Sequence, residues 1–106
     1  MKELKDRVAV VTGASTGIGR SIALECARAG MRVVMASQNA TRLAAAVEQV
    51  RATGARVIGV PTDVGDLTAV ERLAAATLAE FGAVHLLVNN AGVFRPGYLW
   101  EISLDE

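Results

Sequence analysis

Apolar residues in this chain gather in two alternating patterns. Four short runs, "VAVVT" (8–12), "MRVVMA" (31–36), "RVIGV" (56–60) and "HLLVN" (85–89), are rich in β-branched residues or Leu and mostly lack a polar alternation. A strand reads this way when both of its faces are buried in a parallel sheet. The stretches between them carry helical spacing instead. Val70, Leu73, Ala74, Thr77, Leu78 and Phe81 follow i, i+3, i+4, i+7, i+8 and i+11, which predicts one apolar stripe. Leu43, Val47 and Val50 share a face in the same way. Helices are expected over 17–29, 41–53 and 67–81. Gly30, Gly54 and Gly82 sit just past each of them, where a left-handed C-cap is cheapest without a Cβ. The order is βαβαβαβ, with crossovers long enough for parallel pairing, and the fold class is α/β.

Composition narrows the function classes. The chain has 106 residues, which bounds it to a single domain, 1–106, with no repeat, low-complexity tract or linker. Hydrophobic residues make up 52% and charged residues 21%, which excludes a disordered, solvating chain. Eleven Lys and Arg balance eleven Asp and Glu, and the basic residues are scattered. That gives no electrostatic reason for a nucleic-acid or anionic-membrane partner. With one cysteine (Cys26) and one histidine (His85), no intrachain disulfide and no zinc spacing is available. No signal-peptide core or membrane-length apolar run follows "MKELKDR", so the cytoplasm is the expected compartment.

The segment with chemical content is "VVTGASTGIGRSIA". Gly13 ends the first strand, and Gly17 and Gly19 open the first helix. Glycine there permits a tight turn, lets backbone approach a phosphate, and lets helix approach sheet. The first N–H groups of that helix lack intrahelical acceptors, and its dipole favours an anion. A pyrophosphate is the natural occupant. A turn with close helix packing is the plainer alternative, but the position at the first strand-to-helix junction of a βαβ unit favours a nucleotide. The G-K-[ST] ending of a P-loop is absent.

Together, "TGASTGIG" (12–19), "TDV" (62–64) and "NNAG" (89–92) resemble the short-chain dehydrogenase/reductases, in their order and spacing. The T-G-x-x-x-G-x-G spacing looks like the compact single-domain branch. The resemblance covers essentially the whole chain but only the first part of a typical family member. It implies a Rossmann-type parallel sheet with helices on both faces, here the β1-α-β2-α-β3-α-β4 half of a doubly wound fold. It implies that Gly13, Ser15, Thr16, Gly17, Ile18 and Gly19 line the cofactor's diphosphate site. Asp63 would accept from the adenine amino group, Val64 would meet the adenine through its backbone, and Asn90, Ala91 and Gly92 would pass beside a ribose. Taken alone, Asp63 also reads as a solvated turn acid and "NNAG" as an Asn-stabilised bend.

Cofactor choice falls at the end of the second strand, where an acid would bond the ribose 2′-OH of NAD and repel the 2′-phosphate of NADP. Ser37 and Gln38 stand there, followed by Asn39, so no carboxylate guards the site. NADP is the expected cofactor, with NAD also admitted. The basic residue that NADP-preferring relatives often carry at 38 or 16 is missing. Arg42 reads either as a cation reaching back or as an exposed helix arginine. His85 stands where many relatives have Asp and is expected to be packed or solvent-tipped. Cys26 is expected to behave as a small core hydrophobe on the inner face of its helix.

The family transfers a hydride between nicotinamide and an alcohol/carbonyl pair. A Tyr acts as acid/base, a Lys lowers its pKa, and a Ser holds the substrate oxygen. Tyrosine needs that help because its ordinary pKa of about 10 is far above neutrality. Tyr98 is the only tyrosine, Ile102 stands four residues on, and the only lysines are Lys2 and Lys5. No Y-x-x-x-K pair can be built, so no catalytic residue is assigned and the chain as given is expected to be inactive. Ser103 and Glu106 form a capping box with no helix behind it, so the chain reads as a cofactor-binding fragment whose last residues fray. The expected partners are a dinucleotide and, in the complete protein, a small alcohol/carbonyl substrate, with room for a homo-oligomer. The alternatives are a non-catalytic nucleotide-binding module, or an interaction module that pairs through its exposed fourth strand.

Overall fold

A computed structural model describes residues 4–90. Four strands, β1 (Val8–Thr12), β2 (Arg32–Ser37), β3 (Val57–Pro61) and β4 (Leu86–Val88), alternate with α1 (Gly17–Arg28), α2 (Ala40–Arg51) and α3 (Leu67–Phe81). The elements match the apolar pattern to within two residues at each end. The strands pair in parallel in the order β3-β2-β1-β4. This is the Rossmann-type half-fold, with its reversal of direction at β1.

Because neighbouring side chains on a strand point to opposite faces, β1 feeds two cores. Ala9 and Val11 join Val33, Met35 and Val88 beneath α1 and α2, which supply Ala23, Ala27, Leu43, Val47 and Val50. Val8 and Val10 join Val34, Ala36 and Leu87 on the other face, covered by Leu73 and Phe81 of α3. Small residues on α1 let that helix lie close to the sheet. Cys26 packs against the first of these cores from its margin and is only partly buried.

Two local expectations change. In the third strand only Val57 is buried, Ile58 and Val60 are half-buried, and Gly59 and Pro61 are exposed, because β3 is an edge strand with a neighbour on one side only. The α3 stripe is narrower than its spacing suggests. Val70, Leu73, Thr77 and Phe81 are buried, Ala74 is half-buried, and Leu78 is 52% exposed. One helix over a twisted sheet seats about three positions in every seven, and Leu78 lies beyond that arc.

The returns to the sheet turn left-handed at Gly30, Gly54 and Gly82, with φ of 90, 93 and 78°. At Gly82 this residue is itself the C-cap, and its N–H donates to the Leu78 carbonyl at 2.9 Å. His85 does more than pack. Its Nδ1 accepts from the Val8 N–H at 2.8 Å, and its own N–H donates to the Val8 carbonyl at 2.9 Å. The imidazole thus stands in for a carbonyl at the start of β1, where Val8 is buried and its N–H needs a partner.

The two faces of α3 set a test. Leu73→Ala, at a fully buried site, should lower unfolding free energy by about 3 kcal/mol. Leu78→Ala should change it by no more than about 0.5 kcal/mol. Urea melts of both variants would measure this, and equal losses would contradict the burial of this face.

Candidate functional site

All four strands run the same way, so their C-terminal ends open on one edge of the sheet. From β1 the chain steps outward to β2 and β3, then crosses back through α3 to place β4 on the other side of β1, so the strand order reverses at β1, the place where open α/β sheets bind ligands. A cleft of about 470 Å³ lies there. From the β1 exit it is lined by Gly13, Ser15, Thr16, Gly17 and Ile18, and from the β2 exit by Ser37 and Gln38. Thr62, Asp63 and Val64 line it from the β3 exit, and Asn90 from the β4 exit. Four loops that are distant in sequence meet because each follows a strand of one sheet.

Backbone bonds hold the floor of this cleft together. Ala14 N–H donates to the Ala36 carbonyl at 3.0 Å, and Thr62 N–H donates to the Ser37 carbonyl at 2.8 Å. Ser37 Oγ donates to Ser15 Oγ at 2.9 Å, joining the β1 and β2 exits through side chains. Thr12 Oγ1 lies 3.0 Å from Asn89 Oδ1 and 3.3 Å from the Val88 carbonyl, and it accepts from the Asn90 N–H at 2.9 Å. One hydroxyl therefore ties the last residue of β1 to the exit of β4.

The glycines divide the work between turn and packing. At Gly19 a Cβ would overlap the Gly13 carbonyl and come within 2.9 Å of Asn90 Nδ2. Gly19 is thus a contact residue beneath the cleft, buried, and not part of its lining. Gly17 differs. A Cβ there meets nothing within 4 Å, but its φ of 58° is left-handed, which costs an L-residue about 1–2 kcal/mol. The backbone at Gly17 is bare on the side where a ligand would lie.

The three helix N-termini are not alike. Asn39 caps α2 by accepting from Arg42 N–H at 2.9 Å, and Asp66 caps α3 by accepting from Thr68 N–H at 3.0 Å. Thr16 occupies the N-cap of α1, yet its side chain makes no capping bond, and the first turn holds no acidic residue. Among the described residues, no side-chain anion therefore meets the N–H groups and positive dipole end of α1 at the cleft. Ile18, 70% exposed, sits on that same turn.

Among the described residues, Asp63 supplies the one charged side chain of the lining. Its Oδ1 accepts from Gly65 N–H at 2.9 Å, and its carbonyl accepts from Asp66 N–H at 3.0 Å. The turn acid and the cleft acid are the same residue. One carboxylate oxygen closes the bend, and among the described residues Oδ2 receives no donor. Arg42 is exposed in the first turn of α2 and does not line the cleft. Ala91, Gly92, Tyr98 and the capping box at Ser103 and Glu106 lie outside the described residues.

The motifs contain Thr12, Thr62 and Asn89, but sequence reasoning gave these three no role of their own. Thr12 and Thr62 are 5% and 4% exposed, and a buried hydroxyl must find a partner. A threonine at the last position of an otherwise apolar, fully buried strand was the available signal for Thr12. Among the described residues there is no cluster of three or more metal-ligating side chains, and no helix is long and apolar enough to cross a membrane.

Comparison with known proteins agrees with this geometry. The family model for short chain dehydrogenase matches residues 7–106. The chain belongs to the short-chain dehydrogenase/reductase family. Among curated members of this family, it is 44% identical over 105 residues to 1-deoxy-11-beta-hydroxypentalenate dehydrogenase of Streptomyces avermitilis, covering 97% of this chain and 39% of that protein. It is 45% identical over 94 residues to L-rhamnose 1-dehydrogenase (NAD(P)(+)) of Azotobacter vinelandii, covering 85% and 37%. The chain thus spans about two-fifths of the length of the curated short-chain dehydrogenases it matches.

Solved structures of the family superpose well. A short-chain dehydrogenase/reductase from Burkholderia phymatum in complex with NAD gives a TM-score of 0.79 at 48% identity, over 82% of this chain and 31% of that one. L-sorbose reductase from Gluconobacter frateurii, complexed with NADPH and L-sorbose, gives 0.81 at 36% identity, over 84% and 34%.

Two measurements check this site. Gly19→Ala should destabilise the fold by about 2 kcal/mol, because the obstacle is backbone, whereas Gly17→Ala should lose only about 1 kcal/mol. Denaturant melts in the reverse order would contradict the packing. Burial, and then the neighbouring Glu25 charge, push the Cys26 thiol above its ordinary pKa. At neutral and mildly alkaline pH little thiolate forms, so iodoacetamide should label native Cys26 more slowly than the unfolded chain. Equal rates would count against that environment.

Proposed function

We propose that this chain is the dinucleotide-binding part of an NAD(P)-dependent oxidoreductase acting on a small alcohol/carbonyl pair, with NADP preferred. The observation that carries this reading is the uncapped α1 N-terminus at a cleft on the switch point of the sheet. The other two helices carry their own caps, so the missing one marks where an external anion belongs.

The residues fit a dinucleotide. Gly13, Ser15, Thr16, Gly17 and Ile18 offer a side-chain-poor cradle for the diphosphate, with Gly19 holding α1 against it. Asp63 Oδ2 is free to accept from an adenine amino group, beside the Val64 backbone. Asn90 stands across the cleft at the ribose position, followed by Ala91 and Gly92 in the chain. Ser37 and Gln38 bring no carboxylate to the ribose 2′ position, which leaves a 2′-phosphate unopposed. The cofactor, when bound, supplies the hydride chemistry, while these residues bind and orient it.

The printed names of the relatives support the same class, since they are dehydrogenases and reductases, and NAD or NADPH appears among them. The Ser, Tyr and Lys of the family's chemistry would come from sequence beyond this chain, and the chain alone would bind without turning over. An in-frame continuation carrying a Ser and a Y-x-x-x-K would support the oxidoreductase. Its absence would favour a nucleotide-binding module.

Titration calorimetry with NADP(H) and NAD(H) tests the site. Gly17→Val or Asp63→Ala should weaken binding about tenfold, the loss of roughly one charge-assisted hydrogen bond or its steric equivalent. Undiminished binding in both variants would remove the assignment.

A further inference from the structure

We propose that α2 closes the outer edge of β3 to a second copy of this chain, with Arg51 and Pro61 blocking the same hydrogen bond from its two ends. The inference concerns assembly and stands apart from the dinucleotide reading.

Register decides which groups lie on that edge. Val33 N–H donates to the Arg56 carbonyl at 3.0 Å, and Thr62 N–H donates to the Ser37 carbonyl at 2.8 Å. In a parallel ladder these bonds turn the N–H and C=O groups of Ile58 and Val60 toward β2, and those of Val57, Gly59 and Pro61 away from it. Among the described residues no strand lies on that outer side. An unpaired row of this kind is a template for another strand.

Both ends of the row are blunted. Arg51 Nε donates to the outward Val57 carbonyl at 2.9 Å, and Arg51 Nη1 donates to Glu48 Oε2 at 2.9 Å, so the guanidinium is held from two directions. Val57 is buried, while Gly59, two residues on, is exposed. At the far end Pro61 has no N–H to give. Gly59 makes this geometry possible. A Cβ there would come within 2.7 Å of Val47 Cγ2 and 3.3 Å of Leu43 Cγ, so its absence lets α2 lie against the margin of the sheet. Arg51, the last residue of α2, then reaches the edge beside a groove of about 240 Å³ that Glu48, Arg51, Gly59 and Pro61 help to line.

Two copies that meet edge to edge about a two-fold axis normal to the sheet pair antiparallel. Centred on Gly59, that register sets Val57 of each copy opposite position 61 of the other. A bonded antiparallel pair exchanges two N–H···O bonds. One of them would run from the N–H at position 61 to the Val57 carbonyl. Pro61 cannot donate it, and Arg51 already fills its acceptor. Lifting either block leaves the bond unmade. Lifting both makes it, and the two-fold axis makes it twice.

Sedimentation velocity on the full-length protein, over a range of concentrations and against the unaltered protein's own state, tests this. Arg51→Ala and Pro61→Val should each leave that state unchanged. The double variant should add a concentration-dependent species of about twice the reference mass, as a two-fold contact requires. Arg51→Lys, which keeps a cationic donor at the same place, should suppress that species when combined with Pro61→Val. A double variant at the reference mass at every concentration would overturn the proposal, and so would equal association of either single variant. Amide exchange on the unaltered protein is a second check that needs no variant to fold. Gly59 should exchange quickly beside slow Ile58 and Val60. Slow exchange at Gly59 would mean that the edge is already paired, which would also overturn it.

Discussion

The approach of α1 to the end of β1 is the constraint on which the cleft depends. At Gly19 the helix lies so close to the Gly13 carbonyl that no side-chain carbon fits between them. That contact fixes where the helix begins, and therefore where its unpaired N–H groups are delivered. The buried alanines Ala23 and Ala27 continue the same close packing along the sheet. Thr12 then fastens the β4 exit to the same strand end through Asn89 and Asn90. Helix, loop and far strand are set by contacts within one short stretch of β1.

Much of this was legible in the sequence, for physical reasons that differ by element. The strands of the sheet interior announce themselves because a strand buried on both faces has no polar positions to spare, as in Val8–Thr12. The glycines after each helix are legible because few other residues accept a left-handed backbone. Edges are less legible. Nothing local tells β3 that it will lie at the margin, so its half-exposed positions could be read only from the assembled sheet. Leu78 shows the same limit on a helix, since periodicity gives a direction for each side chain but not the width of the surface beneath it.

The site was readable as a set of residues, and less so as an arrangement. Eight residues matched by resemblance, from the Gly13 turn to Asn90, do come together at one cleft, along with Ser37 and Gln38. What spacing could not give is which hydroxyls face each other. Ser15 and Ser37 lie on different loops, and only the parallel register of β1 with β2 places their strand ends side by side. His85 is a similar case. Its role as acceptor for Val8 depends on a pairing between the two ends of the chain's described part. Long-range polar contacts of this kind leave little trace in local pattern.

The missing cap on α1 couples occupancy to folding. Two helices of this protein finish their own first turns with Asn39 and Asp66, so those turns are as stable empty as filled. The first turn of α1 is different, because an anion bound as proposed would also complete the secondary structure beneath it. A ligand bound there at a hundred times its dissociation constant adds about 2.7 kcal/mol to stability by mass action. Under the proposed reading, the melting temperature of the protein would gauge free ligand concentration, and the Gly17–Gly19 turn is where amide exchange would register it first.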